Sequence, residues 1–126
     1  MRDEVNHSEM VKALAKDGAT IQQEMSPLSA HLLHMVIGIC GEAGELTDAV
    51  KKAVIYGKEL DRINVVEELG DLEFYMEGLR QRLNITREET IQANIAKLSV
   101  RYAAGKFSNE QADRKSTRLN SSHITI

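Results

Sequence analysis

The sequence is poor in the features that mark several classes of protein. A single cysteine, Cys40, excludes an internal disulfide framework and fits a reducing compartment. No apolar run approaches the ~18 residues that a transmembrane helix needs, and the start of the chain lacks the apolar core of a signal peptide. A net charge of −3 offers no broad positive surface to nucleic acid. We therefore expect a cytoplasmic protein without membrane or nucleic-acid partners.

The composition that remains is typical of a small helical domain. The chain has 126 residues, of which 42% are hydrophobic and 28% charged, so it can form one domain with a modest core. One proline, no tryptophan and many Ala, Leu, Glu, Lys and Arg residues favour helices. No segment alternates with period two, so we expect no sheet. Cys40 lies in an apolar helical run, where we expect it to be a small buried residue.

Four helical segments follow from the apolar spacing, over about 4–25, 27–56, 61–83 and 86–104. The first has a break near Gly18. Cap and stop signals bound the others, namely Ser26 with Pro27, Gly57, Asp61, the Thr86–Glu89 capping box and Gly105. Short connections favour antiparallel neighbours, so the predicted fold class is all-α, with a four-helix bundle-like arrangement.

The end of the chain has a different character. From Arg114 onward the helical apolar spacing is lost and Ser and Thr become frequent. The letters RKSTRLNSSHITI also resemble translated sequencing-adapter sequence. We therefore expect a single helical domain over residues 1–113 and a tail over 114–126 that lies outside the domain and is either disordered or not native.

Two pairs of acids lie on consecutive predicted helices. Glu42 and Glu45 are three residues apart, and so are Glu68 and Asp71, so each pair shares one helix face. One such pair alone is more often a solvated charged face. Apolar rows run beside both pairs and place the acids at the edge of the expected core. The rows consist of Leu33, Val36, Ile37, Val50 and Val54 in one helix and of Val65, Leu69, Leu72, Met76 and Leu79 in the next.

Glycines accompany the acids, although each costs a helix interior about 1 kcal/mol relative to alanine. Close approach of a neighbouring helix or of a ligand would explain Gly38, Gly41, Gly44 and Gly70. Four carboxylates that face one another repel unless a cation lies between them. Oxygen ligands without Cys or a Glu-x-x-His motif indicate Mg²⁺, or Mn²⁺. His34 lies on the acidic face, where we expect it to pack or to support a ligand rather than to bind the cation itself.

A cationic row lies on the last predicted helix. Asn94, Lys97 and Arg101 are three and four residues apart and share a face. An amide, an ammonium and a guanidinium in a row can bind phosphate oxygens. An exposed basic stripe is the alternative interpretation.

The two acid pairs, in this order and at this distance, resemble the hallmark of the MazG-like all-α nucleoside triphosphate pyrophosphohydrolases, a group that includes dimeric dUTPase-like enzymes. That hallmark is Glu-Glu-x-x-Glu followed some tens of residues later by Glu-x-x-Asp, and here GEAGE and ELGD occupy the two places. The resemblance covers about residues 25–105. The sequence departs from it at Gly41, which stands where the family has its first Glu.

The resemblance implies Mg²⁺ ligands at Glu42, Glu45, Glu68 and Asp71. It implies hydrolysis of a nucleoside triphosphate to the monophosphate and pyrophosphate, with Glu45 and Glu68 as catalytic candidates. It further implies that Tyr75 holds the nucleoside and that Asn94, Lys97 and Arg101 contact the phosphates. A homodimer or homotetramer is the implied assembly.

A water molecule that attacks the α-phosphorus, oriented or deprotonated by Glu45, is the mechanism that we favour. The sequence has no P-loop motif. The sequence leaves two alternatives open. One is a catalytically degenerate nucleotide-binding member of the family, which Gly41 keeps open, and the other is a helical dimerisation module with solvated acids.

Overall fold

The computed structural model describes residues 4–102, and this part of the chain contains five helices and no strand. The helices are α1 (His7–Leu14), α2 (Gly18–Glu24), α3 (Pro27–Val54), α4 (Arg62–Arg82) and α5 (Arg87–Arg101). The all-α prediction is confirmed. The four predicted segments are present, and the first is divided into α1 and α2 near Gly18, which begins α2 instead of lying in the break.

Both ends of helix α3 carry the signals that the sequence predicts. The Ser26 hydroxyl accepts from the Ser29 N–H at 3.0 Å, and the Ser29 hydroxyl accepts from the Ser26 N–H at 2.8 Å. Pro27 occupies the first turn, where its missing N–H costs nothing. At the other end, Gly57 has a φ of 64°, a conformation that disfavours side chains. The chain can therefore turn directly toward α4.

Helices α4 and α5 begin at the predicted caps. An Asp61 carboxylate oxygen accepts from the Asn64 N–H at 3.0 Å, and the Thr86 hydroxyl accepts from the Glu89 N–H at 3.0 Å. Helix α5 ends at Arg101, earlier than predicted, and the predicted stop at Gly105 lies outside the described residues. These caps fix where both helices begin.

The chain divides into two compact units, and the boundary follows Leu79. The first unit contains α1, α2, α3 and most of α4, and the second contains α5. The predicted tail over 114–126 lies outside the described residues, so the division into a domain and a tail stays a prediction. Within residues 4–102, none of the helices combines the length and the apolar character that crossing a membrane requires.

Few apolar side chains are fully buried in the described part of the chain. Met35 and Ala49 are buried, at 6% and 8% exposure. The apolar row of α3 that we expected beside the core is exposed instead, and it consists of Leu33, Val36, Ile37, Val50 and Val54. The expectation of a buried Cys40 is wrong as well, because its side chain is exposed on α3. Much of this face of α3 is therefore left exposed by the described residues.

Candidate metal centre

The acidic face of α3 carries Glu42, Glu45 and Asp48 at helical spacing. Asp48 is paired with Lys52 one turn later, at 3.1 Å, on the exposed surface. Glu42 is half-buried, whereas Glu45 is exposed. The three acids therefore differ in their surroundings, although their spacing along the helix does not distinguish them.

Helix α4 brings two further carboxylates to Glu42. One oxygen each from Glu42, Glu68 and Asp71 lies within 4.8 Å of the other two. Glu42 and Glu68 are half-buried and Asp71 is exposed, so the cluster lies at the surface with its first two members partly shielded. The structure thus brings together three of the four predicted ligands. Glu45 does not belong to this group of three.

The neighbouring acids shift the pKa of Glu68. A hydrogen bond with the Glu42 carboxyl group raises the pKa of Glu68 above its ordinary value, because that bond requires a proton on one of the two groups. Partial burial and the negative charges of Glu42, Asp71 and Glu45 raise this pKa further. Glu45 therefore acts on the cluster through its charge even though it lies outside the group.

The residues present fit a divalent cation. Oε2 of Glu68 is buried and has no hydrogen-bond partner among residues 4–102. An acceptor without a donor, beside two like charges, is the arrangement that a cation relieves. All three donors are carboxylate oxygens, which Mg²⁺ and Mn²⁺ prefer over softer metals. The cluster could thus hold a hard cation.

An aromatic contact lies one helical turn beyond Asp71. The half-buried ring of Tyr75 meets the ring of His34 on α3 edge-on, with centroids 6.1 Å apart, and the ring of Phe74 edge-on at 5.1 Å. His34 is exposed and does not belong to the group of possible metal ligands formed by Glu42, Glu68 and Asp71. The sequence does not predict the contact of Phe74 with Tyr75, because adjacent helical residues point in different directions and no spacing rule links them.

Helix α5 carries the predicted phosphate-contacting row. Asn94 is exposed, Lys97 is half-buried and Arg101 is buried at 7% exposure. Nε and Nη2 of Arg101 are buried and find no hydrogen-bond partner in the described part of the chain. A guanidinium with free donors has a strong requirement for an anion. The row is therefore not a uniformly exposed basic stripe, since its last member is buried.

The fold and the site together define an all-α protein in which the carboxylates of two helices form a candidate cation site. Residues 30–104, more than half of the 126-residue chain, match the family model of the MazG nucleotide pyrophosphohydrolase domain. The chain belongs to this family. Membership implies nucleoside triphosphate pyrophosphohydrolase activity, and the family is generally metal-dependent. Comparison with the curated proteins and with the solved structures finds no significant match.

Proposed function

We propose that this protein hydrolyses a nucleoside or deoxynucleoside triphosphate to the monophosphate and pyrophosphate, in a reaction that depends on Mg²⁺ or Mn²⁺. The observation that carries the proposal is the cluster of Glu42, Glu68 and Asp71 inside the matched family domain. The buried and unpartnered oxygen of Glu68 supports the metal part of the proposal.

In the proposed reaction, a water molecule attacks the α-phosphorus, the bond from that phosphorus to the α–β bridging oxygen breaks, and pyrophosphate leaves with that oxygen. Glu42, Glu68 and Asp71 hold the cation, with Glu45 as the fourth ligand inferred from the family resemblance. Bound Mg²⁺ offsets the negative charge that develops on the phosphate oxygens. Glu45, exposed beside the cluster, orients the attacking water or accepts its proton.

Substrate contacts are proposed for four further residues. The half-buried Tyr75 holds the nucleoside, and its place one turn after Asp71 supports this role. Asn94, Lys97 and Arg101 contact the phosphates, and the unpaired donors of Arg101 support this role. Location in the cytoplasm and the absence of nucleic-acid and membrane partners stay predictions.

A second copy of the chain is the proposed partner of the exposed apolar face of α3. Val36 and Ile37 are 49% and 59% exposed, and Val54 is 73% exposed, although each is a large apolar residue. Burial of such a face stabilises by roughly 25 cal/mol per Å² of apolar surface. A homodimer, or a homotetramer built from dimers, would supply that burial, and the face lies on the helix that carries Glu42.

The test is pyrophosphate release from a panel of nucleoside and deoxynucleoside triphosphates, with Mg²⁺ and with EDTA. With Mg²⁺, we expect one or more triphosphates to give equal amounts of monophosphate and pyrophosphate. In the presence of EDTA, we expect no triphosphate to be hydrolysed. Release of orthophosphate would contradict cleavage between the α and β phosphates. Hydrolysis that is unaffected by EDTA would contradict the metal site.

A nucleotide-binding protein without turnover is the second candidate, and Gly41 favours it. Gly41 offers no carboxylate where the family has its first Glu, and a Cβ atom built at position 41 meets nothing within 4 Å. Binding of a triphosphate in the presence of Mg²⁺ without release of pyrophosphate would favour this candidate over the enzyme. Failure to bind any nucleotide would favour the helical dimerisation module.

A further inference from the structure

The backbone of α3 at Gly38 lies directly against the ring of Tyr75 on α4. A Cβ atom built at position 38 would overlap three ring carbons of Tyr75, namely Cγ, Cδ1 and Cε1. Gly41 and Gly44, on the same helix, have nothing within 4 Å of such an atom. The requirement for a missing side chain is therefore particular to Gly38, although all three glycines stand out equally in the sequence.

This contact lies one helical turn from the carboxylate cluster on both helices. Gly38 precedes Glu42 by four residues, and Tyr75 follows Asp71 by four residues. Four residues correspond to about 6 Å along a helix axis. A displacement of one helix from the other at this contact is therefore carried to the carboxylates with little loss, because a helix is stiff over a single turn.

We propose that Gly38 is a positioning residue for the metal site. Its missing side chain lets α4 approach α3 at Tyr75, and that approach sets the separation between Glu42 and the pair Glu68 and Asp71. The inference rests on the proposed function only through binding of a cation at this cluster. It assigns Gly38 no contact with the substrate.

The ring of Tyr75 has little freedom to make room for a larger residue. Its Cγ atom is bonded directly to Cβ, so rotation about the Cβ–Cγ bond leaves Cγ in place, and Cγ is one of the three overlapping atoms. Relief requires another χ1 rotamer or movement of a helix. Metal sites require their ligands within about 0.5 Å of the productive geometry, and Mg²⁺ demands near-ideal octahedral coordination. A small helix displacement is therefore enough to weaken binding.

The same pair of helices offers a matched control at Gly78. A Cβ atom at position 78 would lie 2.5 Å from Sδ of Met35. Met35 is buried, but its three rotatable bonds let Sδ move, whereas Cγ of Tyr75 can move only with χ1 or with the helix, so this contact relaxes more readily than the one at Gly38. Gly44→Ala is a second control, because position 44 has open space around it on the helix that carries Glu42. Both controls introduce the same methyl group as Gly38→Ala.

The test measures Mn²⁺ binding to the full chain without nucleotide, by titration calorimetry or by the electron paramagnetic resonance signal of free Mn²⁺. We expect Gly38→Ala to weaken binding about 10- to 100-fold. Gly44→Ala should remain within about twofold of the unsubstituted protein, because position 44 has open space, and Gly78→Ala should lose less affinity than Gly38→Ala, because the side chain of Met35 adapts. The double variant Gly38→Ala/Tyr75→Ala should regain most of the lost affinity, because removal of the ring removes the overlap.

Each outcome decides the inference. Equal Mn²⁺ affinity of Gly38→Ala and the unsubstituted protein overturns it and leaves the proposed function intact. If the unsubstituted protein binds no Mn²⁺, the proposed metal site and the inference fall together. Should Gly38→Ala fail to fold, the double variant takes its place. Near-normal binding by the double variant supports the inference, whereas weak binding or failure to fold overturns it.

Discussion

Glu42 on α3 and Glu68 on α4 place carboxylate oxygens within 4.8 Å of each other, and a hydrogen bond between the two groups raises the pKa of Glu68. They come from different helices, so only the packing of those helices brings them together. A proton or a cation can satisfy the pair, and the two compete for the same oxygens. This competition links the stability of the protein, its response to pH and its proposed affinity for Mg²⁺.

Glu68→Gln should lower the rate of pyrophosphate release with Mg²⁺ more than about 100-fold, because it removes a charged ligand and leaves an amide in its place. The matched control is Glu67→Gln, since Glu67 is exposed, is not among the clustered carboxylates and lies next to Glu68 on α4. Steady-state kinetics of both variants check the prediction. An equal loss of activity in the two variants would contradict a special role of Glu68.

The metal-free protein should lose stability as the pH rises from mildly acidic values. The folded state raises the pKa of Glu68, chiefly through the hydrogen bond with Glu42, so it binds that proton more tightly than the unfolded state does. The resulting stabilisation is present in full below the ordinary pKa of glutamate and is lost as the pH rises through the raised pKa. Urea unfolding in EDTA measures this loss. Glu68→Gln should remove it and Glu67→Gln should retain it, while identical pH profiles for all three proteins would contradict the assignment.

Gly41→Glu should strengthen Mg²⁺ binding by about tenfold, because a further carboxylate increases the negative charge beside the cluster. Position 41 is exposed and has open space for a side chain, and glutamate also favours a helix over glycine. Gly41→Gln is the control, since it shares the gain in helix propensity and lacks the charge. Equal Mg²⁺ affinities for the two variants would show that the added charge is irrelevant to the site. The rate of hydrolysis in the same variants distinguishes a weakened enzyme from a protein that only binds nucleotide.

Lys97→Met should raise the KM for the triphosphate about tenfold and leave kcat nearly unchanged, if the ammonium binds the phosphates equally in the ground state and the transition state. Methionine keeps most of the length of this half-buried side chain. The control is Lys51→Met, because Lys51 lies on α3, where its ammonium stands 5.6 Å from the ring centroid of Tyr56. A fall in kcat at constant KM would assign Lys97 to the transition state instead.

Ile37→Glu should weaken the association of two copies more than about 100-fold, because it buries an unpaired charge in the proposed interface. Analytical ultracentrifugation over a range of protein concentrations measures the effect. Val5→Glu is the control, since Val5 is 73% exposed and precedes α1. An unsubstituted protein that stays monomeric at all concentrations would leave the exposed face of α3 without its proposed partner.

The sequence predicts the helices well because their signals are local. Ser26, Pro27, Gly57, Asp61 and Thr86 each act on backbone within a few residues, and each is found at the helix end where it was expected. The burial predicted for Cys40 and for the apolar row of α3 was wrong. Helical spacing identifies an apolar face, and it does not tell whether the partner of that face belongs to the same chain.

By itself the sequence determined the order of the acid pairs, their spacing along each helix and the resemblance to the family that the comparison then established. Tertiary structure decided which acids meet. Glu42 and Glu45 share a helix face, yet Glu42 alone joins Glu68 and Asp71, because the meeting point depends on where two helices approach. Packing likewise separated Gly38 from Gly41 and Gly44, since the ring of Tyr75 lies against only the first of them. Distances across a helix pair depend on side-chain volumes at the contact, and no spacing along a single helix contains them.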